Sequence, residues 1–157
     1  MLPIIIFSLL LFSTFVTSSA GPIHDAAMRG NLEKVRELIT LKTDVDSVDE
    51  CGRTALHIAA INGKTEVVNL LLENGANINA ATEHGWTPLH WAAAFGYIDI
   101  VRILVSNNAR IVGHADCITP LQLALISGHL EIVELLKTHV TTPLLPPNFQ
   151  GNPNRKR

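Results

Sequence analysis

The stretch that decides the fold is residues 52–80, which read GRTALHIAAINGKTEVVNLLLENGANINA. Thr54 stands at a helix N-cap position, where its hydroxyl can accept a hydrogen bond from a free backbone amide of the first turn. Gly63 and Gly75 each follow an apolar segment, and glycine readily adopts the left-handed conformation that ends a helix. The stretch therefore predicts two short helices joined by a turn, with the second helix over about residues 65–74.

This pattern recurs along the chain with a period of 33 residues, shortened once to 32. The glycine that ends the first helix recurs as Gly30, Gly63, Gly96 and Gly128. A histidine recurs in three units as His24, His57 and His90. A fixed period near 33 residues marks a solenoid of small units, and short helices are marginal unless neighbouring units bury their faces. The sequence therefore predicts an all-α stack of four units.

Three further segments carry the same pattern. They are GWTPLHWAAAFGYIDIVRILVSNNA at 85–109, ITPLQLALISGHLEIVELL at 118–136 and the degenerate AMRGNLEKVRELI at 27–39. With them, the chain resembles the ankyrin-repeat proteins. The resemblance implies an all-α solenoid of helix–turn–helix units with short β-turn fingers over residues 21–139, divided at about 21–48, 49–81, 82–114 and 115–139. It also implies that the recurring histidine hydrogen-bonds to the loop backbone.

Four positions depart from the most regular unit. Gln122 stands where the other units have histidine, and Cys117 stands at the place of a turn glycine. Lys42 replaces the glycine that ends the second helix, so we expect this helix to end less tightly in the first unit. Asn108 takes the same place in the third unit, where asparagine tolerates the left-handed conformation.

The first twenty residues form a candidate signal peptide. Residues 2–16 read LPIIIFSLLLFSTFV and have the length of a signal-peptide apolar core, short of the roughly 20 residues that a spanning helix needs. Ser18 and Ala20 fit a cleavage site before Gly21. We therefore expect a secreted or lumenal protein. Because no Lys or Arg precedes the apolar core, an uncleaved membrane anchor and a non-targeting N-terminus stay open as alternatives.

Cysteine usage argues against export. Cys51 and Cys117 lie two units apart, which places them about 20 Å apart at 8–10 Å per packed layer, beyond the reach of a disulfide. Unpaired thiols are unusual in an exported protein. The chain also has no Asn-x-Ser/Thr sequon, so N-glycosylation could not be used to detect its export. The alternative is an intracellular adaptor, cytoplasmic or held at a membrane by its uncleaved leader.

Residues 140–157 form a proline-rich tail with a basic end. Four prolines prevent a continuous helix, and the segment has too little apolar surface to fold alone, so we expect it to be disordered. Leu144 and Leu145 are candidates for covering the open end of the stack, because terminal repeats need capping. The last three residues, 155–157, are expected to be a solvated basic end.

Composition and motif content exclude several functional classes. The formal net charge is −2, and outside residues 155–157 the chain has 9 basic against 14 acidic side chains, which disfavours nucleic acid as a partner. The recurring histidines lie about 10 Å apart and cannot share one metal ion. Dinucleotide, phosphate-loop, zinc-protease and calcium-loop motifs are absent from the sequence. We therefore expect a non-catalytic monomer that uses no cofactor or metal and contacts a membrane only through an uncleaved leader.

What remains is recognition of a protein partner on the concave face and turn tips of the solenoid. The repeat phase places ten side chains there: Met28, Arg29, Arg53, Ile61, Asn62, His84, Trp86, Phe95, Ile118 and Ile126. The apolar members would form a stripe across all four units, and aromatic anchors in such stripes mark interfaces. We expect Trp86 and Phe95 to dominate binding, the alternative being that both rings only pack on neighbouring turns. Trp91 is expected to be partly buried.

Overall fold

The computed structural model describes residues 21–111 and 118–140, which form eight helices. The leader, the turn that holds Cys117 and the tail, together with the predictions made for them, lie outside the described residues. None of the helices in the described ranges is long and apolar enough to cross a membrane. The helices are α1 (Pro22–Arg29), α2 (Leu32–Thr40), α3 (Ala55–Ile61), α4 (Thr65–Glu73), α5 (Pro88–Phe95), α6 (Ile98–Ser106), α7 (Pro120–Ile126) and α8 (Leu130–Val140).

The helices form two layers. In the first layer α1, α3, α5 and α7 pack side by side, and in the second α2, α4, α6 and α8 do the same. Each first-layer helix also packs against the second-layer helix that follows it in sequence. This arrangement confirms the predicted all-α stack of helix pairs. We call the exposed surface of the first layer, with the turns before its helices, the inner face.

Three of the first-layer helices, α3, α5 and α7, start at threonine N-caps, as predicted for Thr54. Thr54 and His57 form a capping box, in which His57 Nδ1 accepts the backbone N–H of Thr54 at 3.1 Å. In the last unit the amide oxygen of Gln122 accepts the backbone N–H of Thr119 at 2.8 Å, so glutamine performs the same capping role. Pro88 begins α5, at the position where a missing N–H costs nothing.

The expectation that α2 ends less tightly than the other second-layer helices is wrong. Lys42 adopts the left-handed conformation at φ 58°, as Gly75 and Asn108 do in the next two units. Its N–H donates to the carbonyl of Ile39 at 2.9 Å, and the N–H of Thr43 donates to the carbonyl of Leu38 at 3.0 Å. The repeat geometry thus imposes on lysine a conformation that costs non-glycine residues about 1–2 kcal/mol.

The core runs the length of the stack between neighbouring units. Ala27, Ala60 and Ala93 occupy one repeat position and are completely buried, because small side chains let successive first-layer helices approach closely. Leu56 and Leu89 are also completely buried, at another shared position. Neighbouring units therefore bury apolar side chains of each other at these shared positions.

Candidate functional site

The recurring histidines position the turns that precede the first-layer helices. Nε2 of His24 donates to the carbonyl of Arg53 at 2.9 Å, and Nε2 of His57 donates to the carbonyl of Trp86 at 3.0 Å. Each bond joins a helix to the turn of the following unit. The expected bond to the loop backbone is thereby confirmed for these two histidines, and it fixes where Arg53 and Trp86 lie.

Burial keeps the two central histidines neutral. It lowers the pKa of His57, and the carbonyls of Trp86 and Ala80 only partly oppose this effect. It also lowers the pKa of His90, against the opposing influence of the Ile118 carbonyl. That carbonyl is the counterpart of Trp86, but Nε2 of His90 makes no hydrogen bond within the described residues. A neutral imidazole in a capping box performs a structural role.

Asp49 organises the turn of the second unit. Its buried carboxylate accepts the backbone N–H groups of Cys51 and Arg53 at 2.9 Å each and pairs with the Arg53 guanidinium at 2.7 Å. Burial alone would raise the pKa of Asp49, but these hydrogen bonds and the Arg53 charge outweigh burial and lower it. In the third unit Thr82 replaces this aspartate, and its Oγ1 accepts the N–H of Trp86 at 3.2 Å.

Every Trp, Tyr and Phe ring within residues 21–111 and 118–140 belongs to one cluster in the third unit. The centroids of Trp86 and Trp91 lie 4.5 Å apart, and those of Trp91 and Phe95 lie 6.2 Å apart with the rings nearly parallel. Tyr97 continues the row, with its centroid 6.3 Å from that of Phe95. We call these four residues the aromatic ladder.

Tyr97 anchors one end of the aromatic ladder, and Phe95 beside it is the most exposed of the four rings. A Cβ atom at Gly63 would lie only 2.7 Å from the Tyr97 ring, so the missing side chain lets this ring pack on the preceding unit. Trp91 is partly buried, as predicted, and its indole N–H has no acceptor in the described ranges. Phe95 is 50% exposed and Trp86 is partly exposed.

The structure places the ten predicted binding residues in two groups. Three of them are partly buried, namely Arg53, Ile61 and Trp86. The other seven are exposed: Met28, Arg29, Asn62, His84, Phe95, Ile118 and Ile126. It brings Trp86 and Phe95 together through Trp91.

Several polar members of this set already have intramolecular partners. The Arg29 guanidinium pairs with Asp25 at 3.0 Å, and the Asn62 side-chain amide donates to the carbonyl of Ile58 at 2.8 Å. Arg53 is held by Asp49. A role for the ten residues in binding a partner stays a prediction.

Sequence reasoning missed two residues at this site. Tyr97 directly follows Gly96, as Lys64 follows Gly63 in the preceding unit. In both units the side chain after this glycine lies against the corresponding glycine one unit earlier. The available signal was therefore an aromatic residue at this repeat position. Asp49 lies four residues before Arg53 in a turn, a spacing that brings a carboxylate onto the turn's own amides. For metals, no three His, Cys, Asp or Glu side chains of the described ranges come together as ligands.

Comparison with known families agrees with the geometry. A family model described as ankyrin repeats in three copies matches residues 23–115, and a single ankyrin-repeat model matches residues 116–140. No curated protein gives a significant match. The family matches span well over half of the chain and coincide with the eight helices. The chain therefore belongs to the ankyrin-repeat proteins, whose repeats serve as protein–protein interaction modules.

Proposed function

We propose that this chain is an exported, non-catalytic recognition module that binds a protein partner on its inner face, with Trp86 and Phe95 as the anchors. The observation that carries the proposal is the aromatic ladder, because the described ranges hold all their aromatic rings in this one row. Rings scattered for packing alone would be distributed among the four units.

The aromatic ladder is suited to binding because its rings are held before a partner arrives. Trp91 is stacked with Phe95, and Tyr97 is packed on Gly63, so little side-chain freedom remains to be lost. Large aromatic side chains supply much contact area for few rotatable bonds and dominate binding energy at many interfaces. A partner that covers Phe95 gains this area at low entropic cost.

The turns beside the ladder supply a polar rim. The second and third turns pack together, since a Cβ at Gly52 would lie 3.6 Å from the backbone nitrogen of Glu83. Arg53 is fixed by Asp49 in one turn, and His84 is exposed in the other. An apolar centre with a polar rim is the usual anatomy of a protein interface.

The decisive experiment measures partner affinity by calorimetry after the mature chain has been used to isolate its partner. Phe95→Ala should weaken binding about 30-fold, the equivalent of a 2 kcal/mol anchor. Leu41→Ala is the matched control, because Leu41 is an exposed apolar residue that follows α2 outside the inner face. Its affinity should equal that of the unmodified chain.

Trp86→Ala provides the second binding variant and should also weaken binding while the melting temperature stays within a few degrees. Because the Trp86 carbonyl, not its ring, accepts the His57 bond, the turn keeps its hydrogen bond in this variant. Unchanged affinity in both aromatic variants would overturn the proposed anchors.

Export is supported by the apolar leader and by the start of the helical stack. α1 begins at Pro22 with Gly21 as its N-cap, so cleavage before Gly21 would leave the first helix pair complete. The cost is a new ammonium near a helix N-terminus, about 0.3–1 kcal/mol. The intact mass of the protein from its own cells tests this: a chain that starts at or near Gly21 supports export, and one that keeps Met1 in the membrane fraction supports a tethered adaptor.

A further inference from the structure

The last unit ends the stack with an apolar surface on the side where another unit would follow. We call this surface the end face and define it by Leu121, Leu125 and Leu130. Leu125 is 60% exposed and Leu130 is 68% exposed, whereas Leu121 is partly buried.

The first unit shows that such positions are normally covered by the following neighbour. Ala27 and Leu32 correspond to Leu125 and Leu130, and within the described ranges only a following unit packs beside them. Ala27 is completely buried and Leu32 is partly buried against the core. Among residues 21–111 and 118–140, none covers the end face as a following unit would.

A fifth unit of the same kind fits this face poorly. The preceding units have Ala27, Ala60 and Ala93 at the position of Leu125, each completely buried by a first-layer helix packed directly on it. Leucine adds three carbon atoms at this point, which would force such a helix outward. A thin extended segment needs no such close helix approach.

We propose that residues 141–149 of this chain, TTPLLPPNF, lie across the end face and place Leu144, Leu145 and Phe149 on it. These residues directly follow α8, in which Val140, at the repeat position of Gly75 and Asn108, is still helical. The chain thus leaves the stack at the edge of the end face.

The length and the composition of the segment fit this path. Nine residues in the extended polyproline conformation span about 28 Å, at roughly 3.1 Å each, and the eleven residues of α8 span about 16 Å. Pro143, Pro146 and Pro147 favour that conformation, and they have no backbone N–H groups that would need partners once covered. The segment is therefore long enough to cover the whole end face, and it would leave few backbone N–H groups without a hydrogen-bond partner.

By covering the end face, the segment would remove an exposed apolar patch that favours self-association of the chain. It involves neither the aromatic ladder nor the partner, so its success or failure is independent of the proposed function.

Paramagnetic relaxation in the full chain tests the inference. A spin label on Gln150→Cys, in a chain with Cys51→Ser and Cys117→Ser, should broaden the amide signals of Leu121, Leu125 and Leu130. The amide of Met28 in α1 is the internal reference, because three packed layers of about 8–10 Å each separate it from the end face, and it should be unaffected. Absence of broadening at the end face, or equally strong broadening at Met28, would overturn the inference.

A mixed sample separates the tail from a second copy of the chain. Spin-labelled chains without ¹⁵N are mixed with unlabelled ¹⁵N chains, so only contacts between molecules broaden signals. The inference expects no broadening in this mixture. Broadening that occurs there as strongly as within one molecule would show that a second copy covers the face and would also overturn the inference.

A double-mutant comparison supplies the energetic readout. Replacing both Leu144 and Leu145 by alanine should lower the melting temperature by about 4 °C or more. The same replacement should have little effect in a chain that already carries Leu125→Ala and Leu130→Ala. Equal losses in both backgrounds would mean that the leucines do not contact the end face.

Discussion

The second and the fourth units have the same local structure but different environments. Both have a threonine-capped first-layer helix, and in the second unit every residue from Thr54 to Ala60 is buried. In α7 of the fourth unit only Pro120 and Ala124 are buried. Helix formation is therefore specified within each unit, whereas burial, and with it most of the stability, is supplied by the neighbours.

The largest expected effect of this difference concerns one leucine position. Leu89→Ala should lower the free energy of unfolding by about 2–5 kcal/mol, because Leu89 is completely buried between units. Leu121 occupies the same position in the fourth unit but is only partly buried, so Leu121→Ala should cost half as much or less. Urea unfolding at equal protein concentration measures both. Equal losses would contradict the view that neighbouring units supply the stability.

The parts of the fold that the sequence predicts are those encoded inside one unit. The Thr54 cap, the glycine stops and the helix pairs follow from patterns that recur in phase. Tyr97 was missed because its packing partner, Gly63, lies in the preceding unit. The looser end expected at Lys42 was wrong because packing of the whole unit overrides the local preference of lysine.

The glycines that end successive helices provide the next comparison. A Cβ at Gly96 would lie 2.6 Å from the ring of His129, which donates to the carbonyl of Ala94 at 3.1 Å. Gly75 has a similar positive φ, but nothing lies within 4 Å of a Cβ there. Gly96→Ala should therefore cost about 2–3 kcal/mol, the left-handed strain plus the disturbed hydrogen bond. Gly75→Ala should cost the strain alone, about 1–2 kcal/mol.

Thermal unfolding of the two glycine variants separates strain from contact between units. If Gly75→Ala destabilises the chain as much as Gly96→Ala does, the contact with His129 contributes nothing. The difference between the two melting temperatures is the quantity to measure.

The capping position predicts a pH dependence that differs between the second and fourth units. Burial holds the pKa of His57 below 6.5 in the folded chain, so the unfolded chain binds a proton first as the pH falls. The stabilisation from neutral His57 is thus complete above about pH 6.5 and is lost as the pH falls from there toward the folded pKa. The melting temperature should therefore drop as the pH falls below about 6.5, and less steeply in His57→Gln.

Gln122→His is the matched control for this pH effect. Position 122 is exposed, so a histidine there should add little pH dependence. A His57→Gln chain with the same slope as the unmodified chain would show that His57 does not carry the effect. Protonation of Asp49 does not interfere with this measurement, because its pKa is lowered from 3.8 and it binds a proton only at a lower pH than His57.

The smallest expected effect is a gain in stability at the end of α2. Lys42 is held at φ 58°, where glycine has no steric penalty, so Lys42→Gly should raise the free energy of unfolding by about 0.5–1 kcal/mol. Asn108→Gly should gain less, because asparagine tolerates the left-handed conformation better than lysine does. Since the two residues occupy one repeat position, the ordering of their melting temperatures measures the strain that the stack imposes on an ordinary side chain. A loss of stability in Lys42→Gly would instead mean that the lysine side chain contributes more than its backbone strain costs.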